Sequence, residues 1–197
     1  MTRSLTAFIA AASLSVVIPR FVELGFTHIL PDGLDHILFI LGLFFLGRSF
    51  ESLLVQITVF TIAHSLTLGL SLYGLVSVPT RIVEVAIALS IAFIAIENLF
   101  QDRLSRWRPL MVFLFGLVHG LGFAHTFEQT SVDRDDFLPA LFSFNIGIEL
   151  GQLAVVAIAF AAVALWWQRD WYCKAIARPV SAAIAIVGLY WAVERSL

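Results

Sequence analysis

The stretch His28–Arg48, "HILPDGLDHILFILGLFFLGR", sets two imidazoles, two carboxylates and a Pro-Asp-Gly turn directly before an apolar run with no further charge until Arg48. From Asp35 to Gly47 the run is too short to cross a bilayer, because a helix rises about 1.5 Å per residue and a crossing takes about 20 residues. Its start is therefore expected below the membrane surface, with Asp35 and His36 sunken. "HILPDG" would descend to it as irregular chain, turned at Pro31-Asp32-Gly33. Backbone outside a helix is tolerated at that depth only inside protein or beside a wet cavity. The stretch thus reads as a broken segment over His28–Asp35, opening a polar funnel in a helical membrane protein.

The remainder of the chain fits that class. Its 197 residues are 60% hydrophobic and 13% charged, with a mean hydropathy of +0.94. A water-facing shell would need far more polar surface. The expected fold is all-α, one transmembrane domain over residues 1–197 built as a polytopic helix bundle. Seven spans are expected, at Leu5–Ile18, Asp35–Gly47, Leu53–Val76, Ile82–Phe100, Pro109–Ala124, Leu138–Trp167 and Val180–Val193. Residues 1–20 have the basic start and short apolar core of a signal peptide, and six spans remain if they are cleaved. No A-x-A site follows that core, which favours retention. With the N-terminus cytoplasmic and the C-terminus outside, lysines and arginines divide eight inside against four outside, as expected for a bacterial-type inner membrane.

Depth brings three ionisable residues to one level. His64 lies eleven residues past Leu53, Glu149 eleven past Leu138 and His119 ten past Pro109. Each is then roughly 15–17 Å along its helix, near the middle of a ~30 Å hydrocarbon core. A carboxylate there costs about 2.5–3.5 kcal/mol even on lenient scales, so it should face a partner or water. Asn145, Glu149 and Gln152 share one helix face, and Thr58, Thr61, His64, Ser65 and Thr67 make a polar strip on another helix. Glu97, with Ser90 on its face, would continue a path toward the cytoplasm.

Imidazole with carboxylate suits a divalent transition metal: zinc, nickel, cobalt, iron or copper(II). The candidate ligands are His28, Asp35, His36, His64, His119 and Glu149, with Asp32 or Asn145 orienting a histidine from behind. A copper(I) path is disfavoured, since the one cysteine is Cys173 and the methionines are Met1 and Met111. Retinal chemistry is excluded, because the only lysine, Lys174, falls in a loop. Each histidine also has a plainer reading as an interhelical hydrogen-bonding residue. His125, at the outer end of the fifth span, reads as interfacial. Helix packing is the default account of Gly116–Gly120 and Gly147–Gly151, both G-x-x-x-G patterns, and close backbones there would also bring His119 and Glu149 to one ion. Glu97 has a plainer partner in Arg103. "WWQRDWY" reads as an interfacial aromatic belt.

Five blocks carry a family resemblance: "GFTHILPDGLDHILFILGLFFLG", "FTIAHSLTL", "VEVAIALSIAFIAIEN", "VFLFGLVHGLGFA" and "FNIGIELGQL". In that order, over residues 25–153, the chain resembles the HupE/UreJ family, small polytopic membrane proteins associated with hydrogenase and urease and regarded as nickel or cobalt permeases. The resemblance implies a core at 25–153 and a metal role for Asp35, His36 and Glu149. The family's His-x5-Asp-His pattern is stretched here, with six residues between His28 and Asp35, and the extra residue at the turn sets His28 apart.

Two function classes follow. One is a membrane transporter that binds nickel or cobalt, with zinc also chemically suited, at a His/Asp/Glu site inside the bilayer. The other is a membrane-embedded zinc hydrolase acting on a lipid or amide, with Ser65 as helper; no H-E-x-x-H signature is present. A permease needs a polar route on both sides of the metal, whereas an enzyme needs one deep pocket closed toward the cytoplasm. The expected partners are the metal ion and the bilayer, with a second copy of the chain or a metalloenzyme maturation system as further candidates. A net charge of −2 gives no footprint for nucleic acid.

Overall fold

The computed structural model describes residues 2–46, 49–101, 104–128 and 136–197. Among them are seven α-helices and no strand: α1 (Thr2–Ile29), α2 (Leu34–Leu46), α3 (Phe50–Leu72), α4 (Thr80–Phe100), α5 (Arg108–Glu128), α6 (Phe137–Val163) and α7 (Arg178–Glu194), with a π-helical turn at Cys173–Ala177 before α7. The all-α bundle expected from hydropathy is therefore the fold. α3, α4, α6 and the joined turn and α7 are each long and apolar enough to cross a membrane. Large apolar side chains such as Ile62, Phe142 and Ile186 stay exposed around the flanks, as a lipid-facing surface requires.

Local chemistry sets the boundaries. Ser49 caps α3 by accepting a hydrogen bond from the Ser52 amide at 3.3 Å. Past the other end of α3, Gly74 takes φ +71°, a left-handed conformation that closes the helix at little steric cost. α1 stops at Ile29 because Leu30 precedes Pro31 and is pushed out of the helical region.

That last boundary revises the broken segment. His28 stands in the final helical turn of α1, not in irregular chain, and the break is confined to Leu30–Gly33. The Asp32 amide donates to the Thr27 carbonyl at 3.1 Å and the Ile37 amide to the Gly33 carbonyl at 2.8 Å, so little backbone is left unpaired. A Cβ at Gly33 would collide with the His28 carbonyl, so the turn needs glycine for its closeness. α1 from Leu14 and α2 meet at 69°, and the bent pair together is long and apolar enough for one broken span or a re-entrant loop, not for two separate spans.

The direction of α1 follows from its packing on α6. A Cβ on Gly147 would meet Val22 and Phe26, and one on Gly151 would meet Phe26 and Ile29, so α1 and α6 run in the same direction. α6 starts beside Tyr73, just past the end of α3, where Phe137 lies 5.0 Å from its ring. α7 finishes beside the start of α4, where Arg195 donates to the Glu84 carbonyl at 3.3 Å. The start of α1 therefore points to the same end of the bundle as the C-terminus, not to the opposite one. We call this the Arg195 end and the other the Arg108 end.

Three helix pairs make the frame: α3 with α5, α1 with α6, and α4 with α7. Gly116 and Gly120 let α5 sit on Phe60, Ala63 and His64 of α3, while Gly147 and Gly151 seat α6 on α1. Both G-x-x-x-G patterns are packing seams, and neither joins His119 to Glu149. α2 runs between the pairs and contacts α4, α6, α7 and α3. It is apolar on nearly every side, with Phe39, Ile40, Leu43 and Phe44 each 1% exposed. His36 is carried into the centre on this helix.

Candidate metal centre

The last turn of α1, the first turn of α2 and the middle of α3 converge below the Leu30–Gly33 break. His28, His36 and His64 each offer a ring nitrogen there, and these atoms all lie within 4.8 Å of one another. The ring centroids are 4.6 Å apart for His28 and His36, 5.8 Å for His28 and His64, and 5.7 Å for His36 and His64. His64 is fully buried, His36 nearly so, and His28 half-buried. Nε2 of His28, Nε2 of His36 and both ring nitrogens of His64 have no hydrogen-bond partner. Several orphaned polar atoms in one small volume are uncommon in a folded chain and call for an explanation.

His119 stands behind this group, its ring 5.0 Å from that of His36. Its Nε2 is 2.9 Å from the Ser90 hydroxyl, and that hydroxyl lies 2.7 Å from the Ile87 carbonyl. A serine hydroxyl has one proton. With that proton on the Ile87 carbonyl, Nε2–H of His119 donates to Ser90, and the lone pair is left on Nδ1, which is buried without a partner. Phenyl rings wall the site: Phe123 is 3.9 Å from His28, Phe39 5.1 Å from His119, and Phe60 5.0 Å from His119, centroid to centroid.

A family model described as HupE / UreJ protein matches residues 4–195. The chain belongs to the HupE/UreJ family. No match was found among curated proteins or among solved structures. As a member of this family the chain is a multi-pass membrane protein with a metal-handling association, and the histidine group is its candidate metal centre.

The other residues singled out from the sequence of this HupE/UreJ protein fall elsewhere. Asp35 is held by Arg195 in a two-pronged pair, at 2.9 and 3.1 Å. Both line a cavity of about 400 Å³ that opens at the Arg195 end and reaches His28, with Asp32 and Trp191 also on its wall. Glu149 does not join the histidines. It accepts a hydrogen bond from Thr58 at 2.8 Å, on a half-exposed seam between α3 and α6. Gln152 accepts from Thr61 at 2.9 Å, and Asn145 accepts from Ser65, so neither orients a histidine in this arrangement. Together these contacts make a ladder of α3 hydroxyls donating to α6 side chains.

Glu97 is not an open continuation of the path. It pairs at 2.8 Å with Arg108, whose side chain is 1% exposed. Arg108 also donates to Gln56 at 2.8 Å and to the Gly42 carbonyl at 3.4 Å, tying α2, α3, α4 and α5 together. Arg103, the partner expected for Glu97, lies outside the described residues, as do residues 129–135 and the side chain of His125. His36 and Gly42 are six residues apart on α2, so this lock lies about 9 Å along the helix from the histidines. Phe39 and Phe60, 5.0 Å apart, fill the space between. Arg108 and Arg195 were missed as site residues. Each had read only as a charge near a span end, and the signal available was adjacency to a span that carries a membrane carboxylate or its neighbour.

Proposed function

We propose that this chain binds a divalent transition-metal ion, nickel or cobalt first and zinc next, and carries it across the membrane. The observation that supports this most is the convergence of three imidazoles from three helices, their nitrogens buried and unpaired. Neutral imidazole is the donor type that suits these borderline ions. His28, His36 and His64 would bind the ion, with His119 as a further donor set in place by Ser90. Asp35 and Asp32 would line its access from the Arg195 end.

In this reading the Arg108 end faces the cytoplasm. Among the described residues, the loops and helix ends there carry Arg106, Arg108, Arg169, Lys174 and Arg178, against Arg3, Arg20, Arg81 and Arg195 for the other end. That bias of five to four follows the positive-inside tendency, and it widens if residues 1–20 are removed. The arrangement is then an outward-accessible state: cavity open toward the Arg195 end, Arg108 and Glu97 locked below. Release would require that lock to part.

The hydrolase reading draws on the same one-sided access, since a zinc site with a single wet approach could activate water. One experiment separates them. Purified protein is loaded in a competition series of nickel, cobalt and zinc, analysed for bound metal, and reconstituted in proteoliposomes. Transport predicts uptake that His36→Ala and His64→Ala abolish. Undiminished uptake by both variants would overturn the site. Stoichiometric bound zinc without uptake, together with metal-dependent release of a lipid or amide product, would select the enzyme.

A further inference from the structure

The cavity at the Arg195 end is far larger than a bare metal ion needs. It measures about 400 Å³ and reaches His28, whose Nε2 is buried without a partner. An octahedral ion with its full shell of water fills roughly 180 Å³, taking water's share of liquid volume as about 30 Å³. The hydrated ion therefore fits whole, with space left for further water.

The wall decides which contacts that ion can make. Two carboxylates line it, Asp32 and Asp35. Arg195 takes both oxygens of Asp35, at 2.9 and 3.1 Å. The guanidinium is itself held, 5.0 Å from the Trp191 ring centre and donating to the Glu84 carbonyl at 3.3 Å. Asp32 stands exposed on the Leu30–Gly33 turn, and its carboxylate has no hydrogen-bond or ion-pair partner among the described residues. One open carboxylate cannot replace a whole shell of waters as ligands. It accepts hydrogen bonds from them well, because water on a cation is a polarised donor and the acceptor is charged. Direct ligation first becomes favourable at the histidines, where three ring nitrogens lie within 4.8 Å of one another.

We propose that this cavity is a binding site for a fully hydrated divalent cation, held through its waters by the Asp32 carboxylate, and that the ion sheds its shell only on reaching His28. The proposal rests on the histidines being the ion's destination, and it adds a separate site before them in which no protein atom touches the metal. Capture there responds to charge and hydrated size, not to the identity of the metal. Choice among metals falls to the imidazoles, which suit borderline ions over magnesium or calcium.

Hexaamminecobalt(III) is the probe. It matches a hydrated ion in size, and its ammine N–H groups donate where the waters do, yet it is inert to exchange and cannot give up its shell to an imidazole. The full chain in uncharged detergent is dialysed against the complex and analysed for bound cobalt. The same protein in phosphatidylcholine vesicles is assayed for nickel uptake with the complex outside. One complex is expected per chain, with competitive inhibition of nickel uptake and no complex inside the vesicles. Asp32→Asn should weaken binding of the complex about ten-fold, the worth of one hydrogen bond to a charged group, while nickel bound at saturation stays at the parent value. His36→Ala with His64→Ala should lose nickel and keep the complex, so the dialysis decides this site even where transport itself fails. No saturable binding, equal binding by Asp32→Asn, or a bound complex that leaves nickel uptake unhindered would overturn the site. Accumulation of the intact complex inside the vesicles would overturn the shedding step, because the ion would then cross with its shell on.

Discussion

Replacing Glu97 by Gln leaves Arg108 as a desolvated cation with no counter-charge. The Arg108 side chain is 1% exposed and that of Glu97 17%. Removing one partner of a buried ion pair costs about 3–5 kcal/mol, mostly because the other charge is stranded. Two features put this site near the lower figure. Glu97 keeps some solvent contact, and the Gln56 carbonyl oxygen and Gly42 carbonyl continue to accept from the guanidinium. A loss of about 3 kcal/mol in a chain of this size lowers the unfolding midpoint by roughly 6–12 °C. Removing both charges, in Glu97→Gln with Arg108→Gln, should restore the midpoint to within about 2–4 °C of the parent, because a buried pair adds little over neutral groups. The assay is thermal unfolding in one detergent at low and high salt, and the single variant's deficit should change little with salt, as the pair is enclosed. A deficit under about 2 °C for Glu97→Gln, or a double variant no better than the single, would refute the reasoning that this is an enclosed, charge-balanced lock.

Ser90→Ala should weaken metal binding about 10–100-fold by releasing the His119 tautomer; cobalt-substituted protein would show it as a changed d–d spectrum with the fold intact, and an unchanged spectrum and affinity would remove Ser90 from the site. Glu149→Gln should leave metal stoichiometry at the parent value in equilibrium dialysis, because Glu149 bonds Thr58 and not the histidines; loss of the ion would place Glu149 among the ligands. Gly120→Ala should destabilise by about 1–3 kcal/mol, since the added Cβ meets the His64 carbonyl and the Thr67 hydroxyl, and a thermal melt that does not move would contradict the close α3–α5 seam.

The fold class was legible because it rests on summed hydropathy, which no single contact can reverse. The level shared by His64 and His119 was legible for a related reason: the rise per residue converts sequence position into depth. Rotation about a helix axis was not legible. Asn145, Glu149 and Gln152 do share a side of α6, yet sequence alone left open whether that side met the histidines or the hydroxyls of α3. The glycines of α6 decided it, by seating the helix on α1 and turning its polar side to Thr58, Thr61 and Ser65. Arg108 and Arg195 were illegible for another reason. An arginine near a span end is read as a topology signal, and only the packed structure shows that one joins its own helix to three others and the other fastens Asp35.

The placement of charge bears on what a cation could do here. The three convergent imidazoles are neutral ligands when they bind, so they give an ion donors without offsetting its two positive charges. Asp35 is the adjacent carboxylate on the approach, and Arg195 occupies both of its oxygens. In the transport reading, an incoming cation and Arg195 compete for the same carboxylate. Binding is therefore linked to opening of the Asp35–Arg195 pair, and by reciprocity a closed pair lowers affinity at the histidines. A storage site would gain from a permanently free carboxylate beside the ligands. A site that must also let its ion go gains from one that is already spoken for, and α7 is the helix whose movement would decide which partner Asp35 holds.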